Sequence, residues 1–416
     1  MTPDLADAAW LRSGPLSRVL DILDCDGEEA RAVGGAVRDA LLGRPVREVD
    51  VATTALPQEV VRRAAKAGIR SVPTGIDHGT VTLIVDEQPF EVTTLREDVE
   101  TFGRKARVVF GRNWEHDAQR RDLTINALSA ARDGTVFDYT GGLADLSSRR
   151  VRFIGTPALR IAEDYLRILR FFRFFATYAE GPPDPEALSA CIAGRAGMDQ
   201  LSRERVRTEL LKLMLAPRAV DAVEAMSESG LLVRILGGVP YTRPLAHMVR
   251  IEAMTGSAPN SVRRLGALAI AVTEDAERLF RRLRLSGVEH KRLLAMADGW
   301  WRLRPDMPEG AARALLYRLG ADAYRDLVGM AWCRWPSATG DAHWRALSDL
   351  PDRWAIPHFP LSAADLMARG LAKGPALGAA LRAAEEAWIA AGFPDDGARL
   401  NAIADVAFRE TETQAE

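Results

Sequence analysis

Apolar residues keep one rhythm along the chain up to about residue 150 and another beyond it. In the first part, short β-branched runs alternate with helix-like stretches. ARAV is followed by Gly34-Gly35 and AVRDALL, which Gly43 stops; then come EVDVAT and a helix from Pro57 to about Ala67. GTVTLIV and PFEVTTL, separated by DEQ, read as a β-hairpin. Strands mixed with helices in one block predict a compact α/β or α+β domain. After Arg150, strand signals nearly vanish. IAEDYLRILRFFRFFATYA, SRERVRTELLKLML, RRLGALAIAVTEDAERLFRRLRL and GAARALLYRL all repeat apolar residues at helical spacing. The last two thirds should therefore be all-α, with GPPDPE, LGGVPYTRP and RPDMPEG connecting helices and ETETQAE as a frayed tail.

Composition adds bounds rather than chemistry. The chain has 416 residues, 47% hydrophobic and 27% charged, with a formal net charge of -2. That is ordinary globular composition with room for roughly two to four domains. Near-zero net charge neither favours nor excludes nucleic acid, since distribution decides. Cys25, Cys191 and Cys333 lie far apart, without metal-ligand or disulfide spacing, which predicts a reducing compartment. MTPDLADAAWLRSG lacks a signal-peptide pattern, and no apolar run approaches the ~20 residues of a membrane span. The expected setting is cytoplasmic, with no membrane partner. Lysine occurs only at positions 66, 105, 212, 291 and 373, and the bias toward arginine reads as genome composition.

Chemistry first surfaces in GRPVREVDVAT. On a strand, Glu48 and Asp50 would point to the same face, where they repel unless a cation sits between them. Such a pair suits Mg²⁺, and Glu91 in PFEVTTLR supplies a third carboxylate if its strand lies alongside. Two ions held this way would activate a hydroxyl and stabilise a leaving oxygen. Gly34-Gly35, ahead of a helix, could cradle a triphosphate. On residue types alone, the same acids also read as a solvated strand edge.

Six motifs in order change the weight: AVGGAVRDALLGRPVREVDVAT, FEVTTLR, RRDLTINALS, FDYTGGLADL, EDYLRILRFFRF and LSRERVRTELLKLM. Over about Ala30 to Ala216 the chain resembles the class II tRNA nucleotidyltransferase and poly(A) polymerase family. The resemblance implies an α+β, polymerase-β-like nucleotidyltransferase head over residues 1–150. It also implies an all-α neck over 151–216 that binds the base and RNA, and a helical body and tail over 217–416 that bind tRNA. Partners would be CTP, ATP, two Mg²⁺ ions and the acceptor end of tRNA, with no DNA; oligomeric state stays open.

Carried over by position, the resemblance puts Gly34, Gly35, Arg38 and Asp39 near the nucleotide phosphates. The family's paired metal aspartates fall on positions 48 and 50. Asp50 matches, but position 48 is Glu. Either activity survives with an adjusted metal position, or the chain is slow or inactive. Arg121, Asp122 and Asn126 fall in the ribose- and phosphate-contacting motif, with Leu123 where Phe is more usual. Four apart on an expected helix, Asp122 and Asn126 would meet one ligand. REDVETFGRKARVVFGRNW corresponds to a loop that is mobile in the family, and FDYTGGLADL to a head–neck hinge, with Asp138 as a site residue or a turn residue.

EDYLRILR matches the base-reading motif. On a helix expected from Arg160 to Tyr178, Asp164 and Arg167 lie three apart, with Arg170 one turn on. A carboxylate only accepts and a guanidinium only donates. Cytosine and adenine both offer an exocyclic amino donor beside an unprotonated ring nitrogen, whereas uracil and guanine reverse that order. Asp164 with Arg167 would therefore select C and A, each bidentate contact being worth ~1–3 kcal/mol. An intrahelical ion pair is the bland alternative. Seven arginines against two acids between Arg149 and Arg173, then Arg203, Arg205 and Arg207, suit RNA phosphates.

The expected function is CCA addition to tRNA. A poly(A) polymerase or partial A- or CC-adding enzyme shares all these motifs, and Glu48 alone motivates an inactive RNA-binding homologue. His247, His290, His343 and His358 are not followed by Asp, and His116-Asp117 stands alone in the head, so no phosphohydrolase site is expected. The tryptophans Trp300, Trp301, Trp332 and Trp335 read as packing residues.

Overall fold

The computed structural model describes residues 4–76, 79–102, 105–335 and 341–413. Within them the chain divides into two compact units, residues 1–240 with 281–285, and residues 241–280 with 286–416. The expected boundaries near 150 and 216 both fall inside the first unit.

The first unit is built on a seven-stranded mixed sheet. Its strands are β1 (Ala30–Val33), β2 (Asp50–Thr53), β3 (Arg70–Gly75), β4 (Thr80–Val85), β5 (Gln88–Thr94), β8 (Ser129–Ala130) and β9 (Val136–Phe137). They lie in the order β3-β4-β5-β2-β1-β8-β9. Only β2 and β5 run parallel, with Val51 opposite Val92. The expected β4–β5 hairpin closes through Asp86 and Glu87, both at positive φ, 48° and 63°, as a two-residue turn requires. Helices Pro15–Leu23 and Pro57–Lys66 pack on this sheet, which buries Val51, Val81, Leu83 and Val92 completely.

REDVETFGRKARVVFGRNW, expected as a loop, forms a separate antiparallel ribbon, β6 (Arg96–Phe102) and β7 (Lys105–Phe110). Gly103 of that stretch lies outside the described residues. Beyond β9 the described chain is helical, as its periodicity predicts.

The strand expected to carry both Glu48 and Asp50 begins only at Asp50, and residues 44–49 are irregular. The reason lies in its neighbour. Val33 opposite Asp50 is the last pair of the β1–β2 ladder, because Gly34 at φ 71°, ψ −120° turns β1 into the helix Gly35–Leu41. Glu48 therefore has no backbone to pair with.

A second departure concerns RRDLTINALS. Asp122 sits in a bend and Thr124–Asn126 form a 3-10 turn, so the two residues share no α-helix. Extended pairing wins locally: Leu123 bridges Phe153, and the Thr124 amide donates to the Arg152 carbonyl at 3.1 Å.

The third departure lies between Arg160 and Tyr178. Two helices, Pro157–Glu163 and Leu166–Tyr178, replace the expected one and break at Asp164, which is extended at φ −154°, ψ 108°. Tyr165 packs at the break on Gly197, where even a Cβ would fall 2.1 Å from the ring.

In the second unit Tyr324, Trp344 and Trp388 are fully buried, and Asp326 gathers Arg263 at 2.7 Å and Arg292 at 2.9 Å. Trp332 is buried and Trp335 packs edge-on to Trp344. Trp301, expected as packing, is 51% exposed.

At Gly142, which begins the helix Gly142–Ser147, a Cβ would lie 2.3 Å from the Thr124 carbonyl oxygen. Gly142→Ala should therefore displace the 3-10 turn and destabilise the first unit by about 1–3 kcal/mol, read as an earlier unfolding transition in urea.

Candidate active site

Asp50 and Glu91 are brought together by the sheet. With Val51 opposite Val92 in a parallel ladder, the residues just before them, Asp50 and Glu91, project side by side from the same face. Desolvation, then the Glu91 charge and, less strongly, Glu48, push the Asp50 carboxyl above its ordinary range, with Arg121 opposing them. Glu48 therefore acts on Asp50 from the irregular segment rather than from the strand. Among the described residues no three His, Cys, Asp or Glu side chains draw close enough to form a complete metal shell. The donor set still suits a hard cation: it is all oxygen, and its central carboxyl is driven toward protonation by like charges that a cation would neutralise.

Above these acids lie two arginines and the double glycine. The Gly34 amide donates to the Leu128 carbonyl at 2.9 Å, which fixes the turn ahead of the helix Gly35–Leu41. What Gly34 contributes is its backbone, at φ +71° where a side chain is strained, since a Cβ at either glycine would make only ordinary contact with its neighbours. A Cβ at Gly34 would touch Arg121 Nη1 at 3.6 Å, and one at Gly35 would touch Arg38 Nη2 at 3.6 Å. Arg121 is steadied by Asp117 at 3.1 Å.

Arg38 heads a chain of contacts. Its Nη1 donates to Asn126 Oδ1 at 2.5 Å, its Nε to Asp39 at 3.0 Å, and its guanidinium lies 4.1 Å over the Tyr178 ring. Tyr178 donates its hydroxyl proton to the same Asp39 oxygen at 3.0 Å. Asn126 Nδ2 donates to Asp122 Oδ1 at 3.3 Å, and Arg170 Nε donates to Asp122 Oδ2 at 2.6 Å. Arg173 then binds Glu209 at 2.6 Å, with Arg170 4.0 Å from the same carboxylate. Burial alone would raise the Asp122 pKa; Arg170, Asn126 and the Leu123 amide outweigh it and lower it. Asp122 and Asn126 thus do meet, in a turn rather than on a helix, and their polar atoms are engaged by protein.

Asp164 and Arg167 do not pair with each other. Asp164 accepts two bonds from Arg205, at 3.3 and 2.5 Å, and one from the Leu166 amide at 3.0 Å. Arg167 binds Glu163 and donates to the Arg160 carbonyl at 3.0 Å. Arg205 and Glu163 were not foreseen as partners; LSRERVR marked Arg205 as basic but gave no sign of its target. Asp138 accepts from the Thr140, Gly142 and Leu143 amides at 3.1, 3.0 and 2.9 Å, and so acts as a turn residue.

The mixed sheet with strand-borne acids beside a double-glycine turn defines a nucleotidyltransferase head, and the helices after it supply a neck. Residues 30–152 match the "Poly A polymerase head domain", and residues 183–243 the "Probable RNA and SrmB- binding site of polymerase A". The chain is 37% identical to the CCA tRNA nucleotidyltransferase 1, mitochondrial, of Danio rerio, covering 86% of this chain and 83% of that protein. It is 31% identical to the CCA-adding enzyme of Limosilactobacillus fermentum, covering 88% and 90%. Its fold superposes on the Bacillus stearothermophilus CCA-adding enzyme in complex with CTP at a TM-score of 0.75, with 25% identity and 100% coverage of both chains. The Thermotoga maritima CCA-adding enzyme complexed with tRNA-CCA shares the fold at a TM-score of 0.71 and 17% identity, covering 100% of this chain and 99% of that one. The chain belongs to the CCA-adding enzymes of the poly(A) polymerase-type family.

Because Asp122 carries a lowered pKa, its contribution to stability should be full above the unfolded carboxylate value, ~3.9, and lost as pH falls through the folded one. Asp122→Asn should leave Arg170 without its closest counter-charge, costing on the order of 3 kcal/mol and flattening the acid limb of a stability–pH curve.

Proposed function

We infer that this chain adds C, C and A to the 3′ end of tRNA from CTP and ATP, releasing pyrophosphate and using no nucleic-acid template. The observation that carries the reading is the convergence on Asp50 of Glu91, Glu48 and Arg121, beside a double-glycine turn in a head of this family.

In this reading Asp50 and Glu91, with Glu48 drawn in from its irregular segment, would hold Mg²⁺, and the ion would supply activation of the RNA 3′-hydroxyl and stabilisation of the departing oxygen. Arg121 and Arg38 face the triphosphate with fixed positive charge that a guanidinium never loses. Gly34 supplies the positive-φ turn that carries β1 into the helix bearing Arg38. Asp39, Asn126, Asp122 and Arg170 act one layer back, holding Arg38 and the base-reading helix in register. Glu48 in place of Asp is tolerable because its backbone is outside the ladder: the segment can retreat by the extra methylene, which a strand position could not do.

Asp164 accepts a hydrogen bond from the exocyclic amino group of cytosine or adenine, and Arg167 donates one to the ring nitrogen. Neither must abandon its present partner, since a carboxylate has about four acceptor sites and a guanidinium five donors. One reading frame serves both bases, so the change from C to A must follow from the growing RNA end.

The setting is less specific. No helix among the described residues is long and apolar enough to cross a membrane, and all three cysteines are free. A cytoplasmic or a mitochondrial compartment, the latter named for the Danio rerio relative, would both suit free thiols.

Purified protein with tRNA lacking its CCA end, Mg²⁺ and labelled CTP and ATP should add two C and one A and then stop. Open-ended A incorporation on generic RNA would replace this reading with poly(A) synthesis. Asp50→Asn should lower the rate by at least ~10²-fold, whereas Glu48→Asp should stay within about tenfold of the parent; no incorporation by either the parent or Glu48→Asp would identify an inactive homologue. The raised Asp50 pKa has a distinct signature. A carboxyl whose folded pKa is raised stabilises the metal-free fold most below its unfolded value, and that contribution fades as pH rises through the folded value. Metal-free Asp50→Asn should therefore melt no lower than the parent at neutral pH, and Mg²⁺ should raise the melting temperature of the parent only.

A further inference from the structure

The first unit also contains a cavity of about 590 Å³ that shares no residue with the site above. Arg195, Arg203, Arg234 and Arg282 line it against a single acid, Asp199, alongside apolar Met198, Leu201, Val206, Val233 and Ile235. Asp199 is taken by Arg234. The other three guanidiniums are fixed by main-chain oxygens instead: Arg195 to Ile192 at 3.0 Å, Arg203 to Arg281 at 2.8 Å, and Arg282 to Ile235 at 3.0 Å. A carbonyl orients a guanidinium without neutralising it, and each keeps further N–H donors. Nearby Glu204 is paired with Arg284 at 2.6 Å.

Arg282 comes from a distant part of the sequence, since residues 281–285 return to the first unit. Its passage depends on Gly237, at φ +67°, where a Cβ would lie 2.8 Å from Arg282 Cδ. Three ordered, unneutralised guanidiniums converging on one hollow favour a phosphodiester, whose oxygens match their fork geometry.

We propose that this cavity binds a backbone phosphate of the tRNA substrate, with Arg195, Arg203 and Arg282 as its ligands. The proposal rests on the functional reading above for the identity of the RNA. It extends the RNA-contacting surface to Arg282, beyond the matched residues 183–243. The contact is sequence-independent, and it anchors the RNA at a point separate from the reacting 3′ end.

The test is filter binding of the full chain to tRNA lacking its CCA end across a salt series, alongside steady-state kinetics. Arg195→Gln and Arg203→Gln are both at exposed positions, so they keep the test independent of folding, with melting temperature as the control; Arg282→Gln completes the set. Each should weaken tRNA binding several-fold and raise the KM for tRNA but not for CTP. Loss of the one phosphate contact in the combined variant should also lower the slope of log K against log salt by about 0.7–0.9. Asp199→Asn should act in the opposite direction. A folded Arg195→Gln/Arg203→Gln double variant with unchanged tRNA affinity and salt slope would overturn the proposal. So would a variant that loses CTP affinity while tRNA affinity holds, because the cavity would then take free triphosphate. A parent protein that binds tRNA yet adds no nucleotide defeats the catalytic reading and leaves this one standing.

Discussion

The buried run from Asp39 through Arg38, Asn126 and Asp122 to Arg170 is the constraint on which the candidate site depends. It ties the turn after β1 to the helix Leu166–Tyr178, two elements more than a hundred residues apart in sequence. Every link pairs a charge with an opposite charge or a polar group, and Arg38, Asn126 and Asp122 are each less than a tenth exposed. In such surroundings a missing partner leaves a desolvated charge, and a satisfied one admits little geometric freedom. Arg38 and the helix Leu166–Tyr178, to which the proposed function gives the triphosphate and the base, thus cannot shift independently. For an enzyme that must present two different bases to the same phosphorus, that rigidity is the useful property.

The acids obey a different logic. Asp50 and Glu91 are kept adjacent by the parallel β2–β5 pairing, and nothing in the sheet relieves their repulsion. Sheets ordinarily avoid like charges side by side. Their persistence here, with Arg121 as the opposing charge, stores electrostatic tension at the point where a cation would release it. The hydrogen-bonded run behind Arg38 holds the surroundings in place meanwhile.

Much of this was legible in the sequence, and the failures have a common cause. Periodicity placed the β4–β5 hairpin, the helix at Pro57 and the helical remainder, because these rest on local alternation and burial. The motifs singled out Asp50, Glu91 and Arg121, which act on one another electrostatically in the structure. What periodicity could not show was where backbone partners run out. Glu48 alternates properly with Asp50, yet β1 ends opposite Asp50 and leaves it unpaired. Asp122 and Asn126 have helical spacing, but the bridge from Leu123 to Phe153 interrupts the backbone between them, and only a 3-10 turn follows it. Arg205 and Glu163, which hold the base-reading pair, are long side chains whose targets only tertiary structure decides. The arginine-lined cavity was hidden for the same reason, since Arg282 joins it from across another unit's sequence.

The break at Asp164 bears on the pair proposed to read the base, Asp164 and Arg167. On one continuous helix, Asp164 and Arg167 would be within reach of each other and would neutralise each other first, leaving a base to compete with an ion pair already made. The extended residue at 164 prevents this. Asp164 is handed to Arg205 on the helix Arg203–Met214, and Arg167 to Glu163 on the preceding helix. Each reader is held from outside the couple, so the acceptor and the donor stay separate and keep spare capacity for a ligand. In the proposed function, a single acceptor and a single donor at fixed separation would recognise what cytosine and adenine share, and nothing that distinguishes them. Discrimination between the two must then lie in whatever fills the space beside the base, which is the RNA end itself.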